Sequence, residues 1–554
     1  MDVKVELQRV IEAAREKAVA AGALPEGEYS AVSRLEVPPK KEFGDFSSNA
    51  AMQWARTAHM PPRKIAEILI SGISSPLVSK IEIAGAGFLN FYLTNDTVYA
   101  ELVKILEAGA SYGDLPKRED DTVLVEYVSA NPTGKLHIGH ARGAAYGDSM
   151  VRLYRAAGYN VASEYYINDA GSQILHLAES VNARYLQLLG KDAEMPENGY
   201  HGQDIVETAQ HIIDRDGEKY LSMTDAERIE AFKDVALAEK LEGLKKDLED
   251  FGVTFDRWFS ERMLYPEKVD EALSVLKEEG NLYEDGGAWW LATTKNGDDK
   301  DRVVIRANGE PTYFCSDIAY AKDKFERGFK TLVDIWGADH HGYIVRLKTA
   351  MKFLGYDPDA FKVDLLQMVT LLRGGEAVKM SKRTGQAVTL SELLEEVGRD
   401  AARYFFTSRT LDSQMEFDID LAKKESSENP VYYIQYAHAR IVSLLTQAKE
   451  AGLVFPGVAD ADFTRLTEEC EKDLIKKMEA YHELIEGAAR ERAPHRVARY
   501  AYELSALFHR FYRDCRILGV DEETGKARLG LILAVQSVLV HAMTILGVTA
   551  PDHM

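Results

Sequence analysis

Cysteine is nearly absent from this chain of 554 residues: only Cys315, Cys470 and Cys515 occur, far apart and with no paired spacing. That argues against a disulfide framework or a zinc ribbon and points to a reducing compartment, the cytoplasm, with no structural metal expected. Positive charge is scarce too, with 67 Lys and Arg against 89 Asp and Glu, a formal charge of −22. Such a balance speaks against nonspecific polyanion binding but leaves local basic patches open, because net charge governs solubility and not any one surface. No internal repeat or low-complexity tract is visible. The opening MDVKVELQRVIEAAREKAV has the pattern of an amphipathic helix with acidic side chains, unlike a signal or transit peptide. Long apolar runs are limited to Leu529–Val548, which carries Gln536, Ser537 and His541. A buried bundle helix is expected there, with no membrane partner.

What is present fits a globular protein: 46% apolar and 28% charged residues, in a length that allows three or four domains. The chain is organised around Val123–Gly143, VLVEYVSANPTGKLHIGHARG. The apolar run Val123–Val128 reads as a buried parallel strand, the Pro132–Gly134 turn ends it, and a helix pattern opens after His137-Ile138-Gly139-His140. A strand that feeds a helix through a Gly-rich corner places backbone N–H groups and the positive helix end where a phosphate can sit. His137 and His140 can donate to a phosphoryl oxygen, and Gly139 has no side chain to keep a flat base away.

Residues 1–112 alternate helix patterns with short strands at Ser33–Val37, Lys80–Ala84 and Phe88–Leu93, which predicts a separate α+β domain; the turn-rich, charged Gly113–Asp121 reads as a linker. From Val123 the order is βαβ, with a second strand at Val161–Ile167 and returns to strand at Arg302–Arg306, Thr331–Trp336 and Phe361–Val369. This predicts a Rossmann-like α/β catalytic domain over 113–390, split by a mainly helical insertion at about 172–290. In open α/β sheets ligands bind beyond the carboxyl ends of the strands. Asn131, the Asp339-His340-His341 group and Arg373–Arg383 each follow such an end, so all three fall on one rim. A connecting segment, 391–429, leads to an all-α bundle at 430–554, with helices predicted at Pro430–Leu445, Thr467–Glu486, Pro494–Cys515 and Ala527–Leu546. Aromatic and basic residues interleave there, at Tyr432, Tyr436 and Arg440 and again at Tyr512 and Arg516. Stacking surfaces beside cations suit unstacked RNA bases, although aromatics at helical spacing serve a core equally well.

Ser129–Arg142, SANPTGKLHIGHAR, resembles the first signature of class I aminoacyl-tRNA synthetases, and its wording is similar to the arginyl-tRNA synthetase family. Far downstream, Val378–Arg383 (VKMSKR) resembles the second signature. Phe43–Phe46 and Gly87–Phe91 resemble that family's N-terminal domain, and Asp400–Tyr404 its anticodon-binding domain, with Ala402 where the DALR name has Leu. The resemblance implies ATP, with Mg²⁺ as its counter-ion, L-arginine and a cognate tRNA as partners, and a monomer. It assigns His137, Gly139 and His140 to ATP, joined by Asp339, His340, Met380 and Ser381, and gives Lys379 and Lys382 to the departing pyrophosphate. It assigns Glu126, Asn131, His137, Tyr313 and Asp317 to arginine, and Phe88 and Asn90 to the tRNA corner. Glu126 inside an apolar strand needs a cationic partner, which a substrate guanidinium or a structural salt bridge would supply equally. Lys135, where the family often has proline, either shares the phosphate work or faces solvent. Two other readings compete: a different enzyme on the same fold, such as a cysteinyl-type synthetase or a nucleotidyltransferase, and a non-catalytic RNA-binding relative.

Overall fold

The computed structural model describes residues 3–378 and 388–554. The chain forms two compact units, one of Met1–Tyr112, Leu445–Glu479 and Arg510–Val535, the other of Gly113–Leu444, Ala480–His509 and Gln536–Met554.

In the first unit the opening helix, Val3–Ala20, buries Val3, Leu7, Ile11, Ala14 and Ala18, a spacing that keeps one face apolar. Strands β1 (Phe46–Ser48), β2 (Val78–Ala84) and β3 (Phe88–Leu93) pair antiparallel in the order β1-β3-β2. The strand expected at Ser33–Val37 is reduced to one bridge, Glu36 with Ser47, because Pro38 and Pro39 follow and carry no N–H for a ladder. Helix Asn95–Ala108 starts at Thr94, whose hydroxyl accepts the Thr97 N–H, a cap that satisfies a free helix donor. From this helix Tyr99 donates to the Leu466 carbonyl at 2.8 Å, and Asp45 pairs with Lys476. The N-terminal residues and the helix Glu469–Glu479 therefore share one unit.

In the second unit β4 (Arg118–Glu126), β5 (Tyr159–Ile167) and β6 (Arg257–Ser260) run parallel. Between β5 and β6 lie helices Ser172–Leu188, Gln203–Asp216 and Asp225–Asp250, with their own core of Leu177, Val181, Tyr185, Ile212 and Phe232. β7 (Leu282–Asp285), β8 (Ala288–Leu291) and β9 (Arg302–Ile305) make a small antiparallel sheet. β10 (Thr331–Gly337) and β11 (Phe361–Leu366) then complete a parallel sheet of order β11-β10-β4-β5-β6.

Four sequence expectations change here. The stretch read as one insertion, 172–290, is interrupted by β6, a short strand of the main sheet that its flanking helices obscured. The return at Arg302–Arg306 belongs to the antiparallel sheet. The single strand expected at Phe361–Val369 also divides: β12 (Val369–Arg373) leaves for a third sheet with β13 (Glu376–Val378) and β14 (Met415–Asp418). Helices then dominate: Pro430–Glu450, Glu469–Glu479, Tyr481–Arg490, His495–Asp514 and Glu522–Leu546. The run expected as one helix at Thr467–Glu486 breaks at Ala480. Glu522–Leu546 is apolar and long enough to cross a membrane, and most of its apolar window is buried inside the protein.

Two buried arginines fasten this second unit. Arg142, fully buried, donates to the carbonyls of Gln367, Ser413 and Thr410. Arg403, also fully buried, donates to the carbonyls of Leu546, Phe251 and Gly252 and to Asp148. The fork of a guanidinium lets one side chain satisfy several buried acceptors at once.

Candidate active site

β4 ends at Glu126, and the backbone then turns sharply: Val128 and Ser129 have φ of 70° and 38°. A β-branched residue in the left-handed region is a strained outlier, and such strain collects at functional sites. The turn is held where it is used. Ser129 donates through Oγ to Glu126 Oε1 at 2.9 Å and accepts the Tyr166 N–H at 3.1 Å. Asn131 lies beyond it, exposed, and accepts from the Asn168 amide at 3.4 Å.

Helix Ile138–Ala156 begins with a histidine capping box. The Gly139 N–H donates to His137 Nδ1 at 3.1 Å, and the His137 N–H donates to His140 Nδ1 at 3.3 Å. The two rings stack with centroids 3.7 Å apart. Burial lowers His137, and burial together with the neighbouring His137 ring holds His140 down at about 4. Both imidazoles are therefore neutral at pH 7, and because each Nδ1 accepts a backbone hydrogen, each Nε2 carries the proton. The cap thus fixes two neutral Nε2–H donors beside the positive helix end. A Cβ on Gly139 would meet the His137 ring at 3.0 Å, so the ring occupies the space a side chain would need. Gly147, one side of the same helix, lets the Tyr127 ring approach to where a Cβ would lie at 2.3 Å.

The segment after the second signature returns to this corner. The Ile138 N–H donates to the Val388 carbonyl at 3.3 Å, and the Leu390 N–H to the Leu136 carbonyl at 2.8 Å. Lys379, Met380, Ser381 and Lys382 lie outside the described residues.

Helix Tyr313–Glu326 supplies the other wall. Tyr313 opens it, 55% exposed, and Asp317 stands one turn further on. Gly171, after β5, faces the Tyr313 hydroxyl and Asn168. Near the far end of the helix, Lys324 is fully buried and reaches both Glu126 and Asp334, the latter at 2.9 Å. Burial disfavours its charge, but Asp334 and Glu126 outweigh that and keep Lys324 protonated. The cation that Glu126 needed is thus supplied by the chain.

Asp317 has no such partner among the described residues. It accepts a hydrogen bond from the Tyr343 hydroxyl. Burial lifts its carboxyl to about 7; Glu126 and Glu261 add to the rise and the tyrosine bond opposes it. Glu261, in the turn after β6, is 3% exposed, and its Oε2 has no hydrogen-bond partner. Burial raises it as well and the Asp169 charge adds to the rise, while Ser316 and Tyr166 oppose it. No described Lys, Arg or His forms an ion pair with either carboxylate. Glu261 and Tyr343 carry no motif signal in the sequence: Glu261 is one of many acids in the stretch read as insertion, and Tyr343 is one of 27 tyrosines.

Asp339 and His340 lie on the short helix Ala338–His340 after β10, both exposed, with His340 Nε2 and an Asp339 carboxylate oxygen 3.6 Å apart. Among the described residues no cluster of His, Cys, Asp and Glu has the makings of a metal site. Lys135 is exposed, and its charge lowers the carboxyl of Asp247, which burial raises.

The RNA candidates fall into separate groups. Tyr432 and Tyr436 stack with rings 6.1 Å apart, and Arg440 lies over Tyr436 at 4.4 Å. Tyr512 and Arg516 are exposed at the end of helix His495–Asp514 and just beyond it. In β3, Phe88 is 39% exposed, whereas Asn90 is 3% exposed and accepts from Ser47 at 2.8 Å. Asn90 therefore joins β1 to β3, and its side chain is turned away from solvent.

A parallel sheet whose carboxyl rim carries a histidine-capped helix, with a helical region after it, defines a class I aminoacyl-tRNA synthetase. Comparison with known families agrees: the class I tRNA synthetase (R) catalytic domain matches residues 101–422, the arginyl tRNA synthetase N-terminal domain 5–93, and the DALR anticodon-binding domain 434–554. The chain is 50% identical over 542 residues to the arginine–tRNA ligase of Carboxydothermus hydrogenoformans, covering 98% of this chain and 97% of that one. Identity is also 50% over 552 residues with the ligase of Geobacillus kaustophilus, covering 99% of each. The arginyl-tRNA synthetase structure from Thermus thermophilus shares the fold with a TM-score of 0.74 over 100% of both chains, at 22% identity. The chain belongs to the arginine–tRNA ligase family, and it uses ATP to aminoacylate tRNA with arginine.

Proposed function

We propose that the ligation runs through an arginyl-adenylate and that Asp317 and Glu261 receive the guanidinium. The observation that carries this reading is a pair of carboxylates, Glu261 buried and Asp317 half-buried, with no ion-pair partner among the described residues, on the rim where two histidine donors are fixed. A guanidinium is planar, permanently charged and rich in donors, so it answers two acceptor groups together. Tyr313 walls the group, and Asn131 with His137 receives the α-amino and carboxylate end. Glu126 contributes negative potential, since Lys324 and Ser129 already engage both of its oxygens.

In the first step an arginine carboxylate oxygen attacks the α-phosphorus of Mg-ATP and the bond to pyrophosphate breaks. Negative charge grows on phosphoryl oxygens, and the fixed Nε2–H donors of His137 and His140 stabilise it without reorganising; one such donor is typically worth about 2.7–4 kcal/mol. Gly139 faces the adenine, Asp339 and His340 border the nucleotide, and Lys379 and Lys382 with Met380 and Ser381 serve the pyrophosphate. In the second step the terminal ribose hydroxyl of tRNA, the 2′ by expectation, attacks the arginyl carbonyl and AMP leaves. Tyr432, Tyr436, Arg440, Tyr512 and Arg516 contact the anticodon arm, and Phe88 the tRNA corner. The protein works as a cytoplasmic monomer without a membrane partner.

Arginine-dependent pyrophosphate–ATP exchange, with and without tRNA and with lysine and cysteine as controls, tests this reading. Exchange with arginine alone among the three supports it. Exchange with another amino acid overturns the pocket, and none under any condition points to a non-catalytic relative.

A further inference from the structure

The two cysteines that stand 45 positions apart in sequence meet in the first unit. Cys470 Sγ and Cys515 Sγ are 3.1 Å apart, and both are buried. Cys470 is the second residue of helix Glu469–Glu479. Cys515 continues the last turn of helix His495–Asp514 through its N–H to the Phe511 carbonyl at 2.8 Å. Their facing is enforced by the neighbour of each. Arg528, from helix Glu522–Leu546, pairs through Nε with Glu471 at 2.6 Å and donates through Nη1 to the Arg516 carbonyl at 2.6 Å. One guanidinium therefore clamps the residue after Cys470 to the residue after Cys515. Glu471 is fully buried, and a buried charge pair of this kind fixes register because breaking it leaves an uncompensated ion.

We propose that Cys470 and Cys515 are a preorganised dithiol that closes to an intramolecular disulfide under oxidation by hydrogen peroxide, a reversible modification site outside the aminoacylation machinery. A disulfide needs sulfurs near 2.05 Å, so closure calls for an approach of about 1 Å. In the reaction the Cys470 sulfur attacks one peroxide oxygen, the O–O bond breaks, and a sulfenic acid and water form. The Cys515 sulfur then attacks the sulfenic sulfur, the S–O bond breaks, and a second water leaves with both thiol protons accounted for. Overall, two thiols and one peroxide give one disulfide and two waters. The order of the two thiols is interchangeable, and the same products form if Cys515 is oxidised first. Burial and the contact between the two sulfurs push the Cys515 thiol up. The reaction is therefore slow at neutral pH and quickens as pH rises. The bond would tie helix Glu469–Glu479 to the segment that carries Tyr512, Arg513 and Arg516. The third thiol, Cys315, is buried in the second unit, 1% exposed, and serves as an internal control.

The test is full-length protein treated with hydrogen peroxide at pH 7 and pH 8.5, then denatured in an alkylating reagent and weighed intact, with peptide mapping. The expected product has one alkyl group instead of three, a Cys470–Cys515 cross-linked peptide, and full reversal by dithiothreitol. It forms faster at pH 8.5, and its thermal midpoint lies at least about 3 °C above that of the reduced protein. Cys470→Ser and Cys515→Ala should each abolish the cross-link and the thermal shift. Three alkylated thiols after treatment, sulfonic acids on both residues, or a cross-link between chains would each overturn the proposal. The wild-type peptide map decides the matter even where a variant fails to fold. Arginine-dependent exchange plays no part in the readout, so failure here and failure of the pocket reading are separate results.

Discussion

Tyr343 donates its phenolic hydrogen to the carboxylate of Asp317, so the acid proposed to hold the guanidinium is steadied by the first residue of helix Tyr343–Phe353, between β10 and β11. Burial sets that carboxyl at about 7. The arginine KM should therefore fall as pH rises from 6 to 8, because only the carboxylate pairs with the substrate. Tyr343→Phe removes a bond that favours the ionised form, so its KM profile should move toward higher pH. An unmoved profile would separate Asp317 from arginine binding.

The same group leaves a mark on stability. Its folded value lies above the usual 3.8, so between about pH 4 and 7 the folded chain holds more proton than the unfolded one. Stability from this group is present at low pH and lost as pH rises through 7. Arginine, by pairing with the ionised form, should raise the thermal midpoint more at pH 8 than at pH 6. Calorimetry at the two pH values with saturating arginine measures this.

Asp317→Asn and Glu261→Gln should each raise the arginine KM by ten-fold or more while leaving the ATP KM within about two-fold, since charge-assisted hydrogen bonds are typically worth 1.5–3 kcal/mol. Equal loss of arginine and ATP would count against the pocket.

Lys324→Met strands Glu126 and Asp334 in a buried site. Removing one partner of a buried ion pair typically costs about 3–5 kcal/mol, so urea unfolding should show a loss of that size. A loss under 1 kcal/mol would mean that the two acids simply take up protons.

His140→Ala removes a neutral donor and half of the helix cap. The rate of adenylate formation should fall by about 10²–10³-fold, with the arginine dissociation constant little changed. Single-turnover kinetics with tRNA present separates the two.

Motif and rim were legible because strand, turn and helix follow one another within twenty residues, where local pattern is strongest. The α+β front, the parallel sheet and the late helices were readable on the same grounds. β6 was not, because four residues between helices carry too little periodicity. The proposed arginine site was half legible. Asp317 and Tyr313 lie one turn apart, but of the two partners open to Glu126, a substrate guanidinium or a structural salt bridge, the structure shows the second, through Lys324 far along the chain. No local rule links those positions. Cys470 and Cys515 illustrate the same limit, since spacing in sequence says nothing about two helices that bring distant residues together. Asn90 shows the converse, a polar residue in an alternating strand that turned inward to Ser47.

The first compact unit is stitched from three stretches, and its opening 112 residues are joined there by Leu445–Glu479 and Arg510–Val535. On the ribosome the amino end emerges first, while those partners are made tens of seconds later at ordinary translation speeds of roughly 5–20 residues per second. Through that interval Tyr99 has no Leu466 carbonyl to bind and Asp45 no Lys476. The front of this protein is born early and finished late, and a nascent chain halted before residue 445 should hold its amino-terminal portion unfinished.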